Sequence, residues 1–216
     1  MTDRLRDARV TAWVALVPLL YVSAEWVVSA TWRGYYSYSD DVIGPLGVAF
    51  CGPAGNWPCS ALYPAVNVAL VVTGLAVAFV AASLYAQRIA DRGHAILLCA
   101  AGFGLATTGV VTQHVSYSWN LTGLLVFMVL GSVSALFIAL GASTEMTVER
   151  RGVAVVAGVV SVVGLFAYLG DHDVVGSGGA QRMAVYGVLV AVLAVATTGL
   201  RRGAPAEGRE LVEESR

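Results

Sequence analysis

The sequence predicts an all-α, polytopic membrane protein: a six-transmembrane-helix bundle with a long extracytoplasmic loop between its first and second helices. Three observations carry this expectation. Of 216 residues, 57% are hydrophobic and only 12% charged, with a mean hydropathy of +0.73; soluble domains carry about 25% charged residues. Six long apolar runs contain neither Lys nor Arg. The arginines between the runs fall on alternate sides.

The first run, 10–30, follows Arg4, Arg6 and Arg9 and contains Pro18, a kink candidate, and Glu25, the only acid in any run. Val22-Ser23-Ala24 resembles a signal-peptide cleavage site, but the apolar stretch continues through Trp26, Val27 and Val28, which suits a retained anchor better. The other runs are 60–86, 95–112, 121–143, 153–170 and 183–200. About 20 residues of helix, at 1.5 Å each, cross a ~30 Å hydrocarbon core. Backbone groups cannot stay unpaired in hydrocarbon, so these Val-rich runs are expected to be helices despite their strand preference in water. Residues 1–200 then form one transmembrane domain. The tail, 201–216, with its Pro205, four Glu and four Arg, reads as solvated and disordered.

Orientation follows from arginine; the chain has no Lys. Six spans place the N-terminal three, Arg88, Arg92, Arg150, Arg151 and the tail's four on one side, 11 in all, against Arg33 and Arg182. The positive-inside rule puts the 11, and both termini, in the cytoplasm. The long first loop, 31–59, is then extracytoplasmic. Cys51 and Cys59 lie there among Gly52, Pro53, Gly55 and Pro58, so a disulfide is expected on an oxidising side. Aromatic residues crowd the same side, among them Trp32, Tyr36, Tyr38, Trp57 and Trp119, as in an interfacial belt. Cys99 and the small residues Gly102, Gly104, Gly109, Gly131, Ala135 and Ala139 read as packing positions within the bundle.

The run Tyr38-Ser39-Asp40-Asp41-Val42-Ile43-Gly44-Pro45-Leu46-Gly47, then Pro64-Ala65-Val66-Asn67 and Thr73-Gly74-Leu75, resembles a bacterial membrane family catalogued as domain of unknown function 998. Gly102 to Gly109 and His114 resemble that family's third helix and the polar turn after it. The family's usual Ser after Ile is Gly44 here, and the 51–59 insert resembles a feature peculiar to this branch. The resemblance spans roughly residues 10–200 and implies a six-helix membrane fold. It implies no activity.

Six spans bring several polar residues to one level, near the outer leaflet. Glu25 lies five residues from the end of its span and Asn67 about two turns into the next. Gln113 and His114 close the third, and Asp171, His172 and Asp173 follow the fifth. Asp40 and Asp41 sit in the loop above. An ionisable group inside a membrane is costly and marks a functional hypothesis. Glu25, Asp40, His114 and His172 are the catalytic candidates, with Asn67, Gln113, Asp41, Asp171 and Asp173 as a surrounding polar cluster. One reading is a metal-assisted hydrolase or transferase acting on a lipid at the outer face, although no pair has the spacing of a metal-binding helix. A haem held by His114 and His172 is a remoter option. Another is a small transporter with Glu25 as its proton site. The blander alternative takes 171–173 and Gly176-Ser177-Gly178-Gly179 as a solvated turn, and lets Glu25 accept a hydrogen bond from Asn67 or Gln113. No cofactor is expected and no confident metal site is visible. With a net charge of −1, nothing points to nucleic acid. The reading favoured is non-enzymatic: lipid binding, lipid transport or support of a complex in the envelope, with membrane lipids as partners.

Overall fold

The computed structural model describes residues 2–49, 59–141, 146–170 and 175–197. They form eight α-helices: α1 (Thr2–Arg6), α2 (Ala8–Val14), α3 (Pro18–Ala30), α4 (Tyr63–Ala86), α5 (Arg92–Val110), α6 (Tyr117–Gly141), α7 (Val148–Leu169) and α8 (Gly176–Ala196), with a short 3-10 turn at Gly44–Gly47. No strand occurs among the described residues. Six stretches are long and apolar enough to cross a membrane, α2 and α3 together counting as the first, Ala8–Ala30.

Local chemistry sets the ends of these helices. Asp7 caps α2 by accepting from the backbone N–H groups of Arg9 and Val10. Pro18 has no N–H to give, and the chain before it tightens: Leu16 N–H donates to Trp13 and Val17 N–H to Val14, three residues back instead of four. The first span is therefore interrupted where Pro18 predicts. Asp91 accepts from the N–H groups of Gly93 and His94, so α5 opens at Arg92, ahead of the apolar run. Thr147 does the same for α7.

The last helix departs furthest from expectation. It opens at Gly176, seven residues before the apolar run at 183, which is about two turns. The glycine run 176–179 is thus the first turn of a helix and not a solvated turn. Gln181 and Arg182 lie inside α8, and both are buried.

Helices adjacent in sequence pack against each other from α3 through α8, and α8 also lies against α6 and touches α4 and α2. Close approach of backbones holds α4 to α5. A Cβ on Gly74 would fall 2.4 Å from the Gly102 carbonyl oxygen, and one on Gly102 would fall 2.5 Å from that of Gly74. Small residues permit this contact, which stabilises helix pairs in lipid where no hydrophobic drive exists between them. A short polar relay ties three further helices: Ser132 Oγ lies 2.6 Å from Ser161 Oγ, which donates to the Ala184 carbonyl at 2.6 Å.

The spans alternate in direction, so one end of the bundle gathers the C-terminal ends of α3, α5 and α7 and the N-terminal ends of α4, α6 and α8. The segment 31–49 folds over this end, here called the loop end. Cys59 is buried there, its carbonyl accepting from Arg33 N–H at 2.8 Å. Cys51, Asp171, His172, Asp173 and the tail 201–216 lie outside the described residues.

Candidate functional site

The centre of the loop end is an ion pair inside the first and last spans. Glu25 on α3 is fully buried, and Arg182 on α8 is 5% exposed. Arg182 Nε donates to Glu25 Oε1 at 2.7 Å, and the Tyr186 hydroxyl, one turn along α8, donates to Glu25 Oε2 at 2.6 Å. Both carboxylate oxygens are thereby engaged. Nη1 of the same guanidinium donates to the carbonyls of Tyr38 at 2.8 Å and Asp41 at 2.7 Å, and Nη2 donates to the Tyr36 hydroxyl. Four of the five N–H groups of Arg182 therefore hold partners on α3 and on the loop. The guanidinium carbon also sits 5.5 Å from the ring centre of Tyr36 and 4.7 Å from that of Tyr38, within cation–π range.

A buried charge persists only when it is paired and its remaining donors are satisfied. Arg182 meets both conditions because the loop lies directly on α8. Gly176 has φ +70°, a conformation open to glycine, and a Cβ there would be 2.2 Å from the Ser39 carbonyl oxygen. A Cβ on Gly178 would be 2.3 Å from that of Asp41. The two glycines let the loop backbone dock, and three bonds then secure it. Gly179 N–H donates to Ser39 at 2.8 Å, Ser177 Oγ to Asp40 at 2.7 Å, and Ile43 N–H to Gln181 Oε1 at 2.7 Å.

The other sequence candidates divide among separate surroundings. The Asp40 side chain is exposed and accepts from the hydroxyls of Ser37 and Ser39 at 2.6 and 3.0 Å, which hold its carboxyl below the usual carboxylate range. The Asp41 side chain accepts from Ser37 N–H at 2.8 Å. Asn67 donates to the Gly47 carbonyl at 2.9 Å, and the Gln113 amide lies where a Cβ on Gly44 would be, so both sit under the 3-10 turn. Glu25 accepts from Arg182 and Tyr186 and not from Asn67 or Gln113, because α8 reaches two turns further than its apolar run. His114 is exposed in the turn after α5. Among the described residues, no three His, Cys, Asp or Glu side chains come together.

Burial pushes the Tyr36 phenol above its usual range, against the pull of the Arg182 guanidinium. Tyr36 is therefore a neutral hydroxyl that accepts from Arg182, and its own proton points toward the carbonyls of Asp41 and Val42, 3.5 and 3.4 Å away.

Arg182 and Tyr186 are the site residues that sequence reasoning passed over. One signal was present: an Arg beside a 183–200 apolar run, with Tyr one turn on. The six apolar helices define a multi-pass integral membrane protein. No family model matches the chain, and neither does any curated protein or solved structure compared with it; the likeness in the 38–47 run stands on those residues alone.

Proposed function

We propose that the protein is a non-enzymatic lipid-binding protein of a bacterial cytoplasmic membrane, with both termini in the cytoplasm. The carrying observation is a groove of about 660 Å³ between α7 and α8. Its walls include Gly152, Val153, Val156, Val160, Met183 and Val190, and nearly all of its lining is apolar. Arg182 and Tyr186 border it toward the loop end, and Glu149 borders it at the foot of α7. At membrane depth there is no water to fill such a groove, and an unfilled one forfeits dispersion contacts along its whole length. An acyl chain supplies them.

The test is native mass spectrometry of the full-length protein in mild detergent. Val156 is 63% exposed and Gly152 has open space around its Cα, so Val156→Trp and Gly152→Leu fill the groove without meeting packed neighbours. Wild-type protein should retain phospholipid and both variants should retain less of it. Wild-type protein that retains none, or variants that retain as much, would refute the reading.

The orientation rests on arginine. Arg182 is neutralised within the bundle, so loop charge is 11 Arg on one side against Arg33 alone on the other. Reporter fusions at the C-terminus should be active only as cytoplasmic markers. An active periplasmic reporter there would reverse the assignment.

A further inference from the structure

The first span carries one continuous stripe that runs from an apolar slot to an aromatic pocket. Leu19, Val22, Trp26 and Ala30 recur at steps of three and four residues, with Ser29 three after Trp26, so they share a face of α3, and Ala15 joins the slot from before the break at Pro18. Ala15, Leu19 and Val22 form one wall of a slot of about 240 Å³, whose other wall is Leu189, Val190 and Leu193 of α8, and its lining is almost wholly apolar. Trp26, Ser29 and Ala30, with Tyr36 and Tyr38 of the loop, line a second opening of about 420 Å³ at the end of α3, and its lining is visibly more polar. From Leu19 to Ala30 the helix rises roughly 16 Å, about one leaflet of a ~30 Å core.

Polarity thus changes along the stripe as it changes along a membrane lipid. Deep in the span the slot offers only alkyl contacts. Where the span ends, two tyrosines and a tryptophan stand at the level such residues favour in bilayers. The Ser29 and Tyr38 hydroxyls bond each other, and Ser29 Oγ also donates to the Trp26 carbonyl. Trp26, 71% exposed and lining the pocket, carries an indole N–H able to donate to an acceptor brought from outside.

We infer that this seam between the first and last spans is a second lipid site, taking one glycerophospholipid. One acyl chain lies in the slot and the ester carbonyls face Trp26, Tyr36 and Tyr38. It is separate from the groove between α7 and α8, although Tyr186 and Val190 line both, so α8 is the wall they share. The inference rests on the protein's being a lipid binder, and adds where and how a second molecule sits.

The experiment uses the full-length protein in phosphatidylglycerol–phosphatidylethanolamine nanodiscs doped with a phosphatidylglycerol that bears a photoreactive acyl chain. Peptide mapping then compares labelling at three places: 19–22 with 189–193, 153–160, and the exposed lipid-facing Phe137 as the bulk-lipid reference. Labelling above the reference is expected at the first two. Leu19→Trp, at a position 52% exposed, should abolish the first and leave the second. Trp26→Ala should lower labelling of 19–22 several-fold, and Trp26→Phe should lower it less. Labelling of 19–22 at the Phe137 level, or labelling that survives Leu19→Trp, would overturn the second site alone. Reference-level labelling at 153–160 as well would overturn lipid binding altogether.

Discussion

Arg182 and Glu25 stand 157 positions apart in the chain and 2.7 Å apart in the fold, joining the last span to the first. The same guanidinium holds the loop by two carbonyls and a phenol. Breaking one half of a buried pair strands the other charge, at a cost of about 3–5 kcal/mol. Glu25→Ala is therefore expected to lower the thermal unfolding midpoint in detergent sharply. The double variant Glu25→Leu with Arg182→Met should recover most of that loss, because apolar replacement of a buried pair is close to neutral. Loop amides at 38–41 should nonetheless exchange faster in the double variant. A double variant as unstable as Glu25→Ala would argue against the pair as the source of the effect.

Docking of the loop on α8 depends on the missing side chain at Gly178. Gly178→Ala places a methyl 2.3 Å from the Asp41 carbonyl oxygen, and neither backbone can yield cheaply. A loss of about 1–3 kcal/mol is expected, as for overpacking elsewhere. Gly152→Ala, with nothing within 4 Å, should change stability by no more than about 0.5 kcal/mol. Equal effects of the two substitutions in the same unfolding assay would remove the steric account.

Acid should leave the outermost turn of the loop intact over most of the range. Asp40 is held below its usual value by Ser37 and Ser39. A depressed carboxyl contributes stability above its unfolded pKa, about 3.9, and loses it only as pH falls through the lower folded value. Protection of the Ser37–Asp41 amides against exchange is thus expected to persist down to about pH 4 and to fall below it. Ser37→Ala should move that fall to higher pH, since it removes the first of the two hydroxyl donors. An unmoved transition would show that the hydroxyls do not set it.

The orientation and the loop chemistry meet in the cysteines. If the loop lies on an oxidising side, Cys51 and Cys59 are expected to pair and Cys99 to remain a thiol. Alkylation of denatured, unreduced protein should label one of the three cysteines, and Cys51→Ala should cost about 2–4 kcal/mol. Labelling of all three in protein from the native membrane would count against both the bridge and the outward loop.

The six spans were legible because membrane insertion reads a sum. Each run is long, apolar and free of cations, and those properties need no neighbour to take effect. Glu25 was legible as an anomaly for the same reason, since it is the one acid in a 21-residue, mostly apolar run. Its partner was not. Gln181, Arg182 and the glycines at 176–179 lower the local hydropathy, so by sequence they read as loop and the last apolar run begins at 183. What admits them to the span is neutralisation by groups far away in sequence: the Glu25 carboxylate, the Tyr38 and Asp41 carbonyls, and the Ile43 amide that meets Gln181. Hydropathy is additive along the chain, whereas the desolvation of a charge is decided by what surrounds it. The number of spans therefore belongs to the sequence. The length of the last span, the identity of Glu25's partner and the seating of the loop on α8 were decided only when the helices packed.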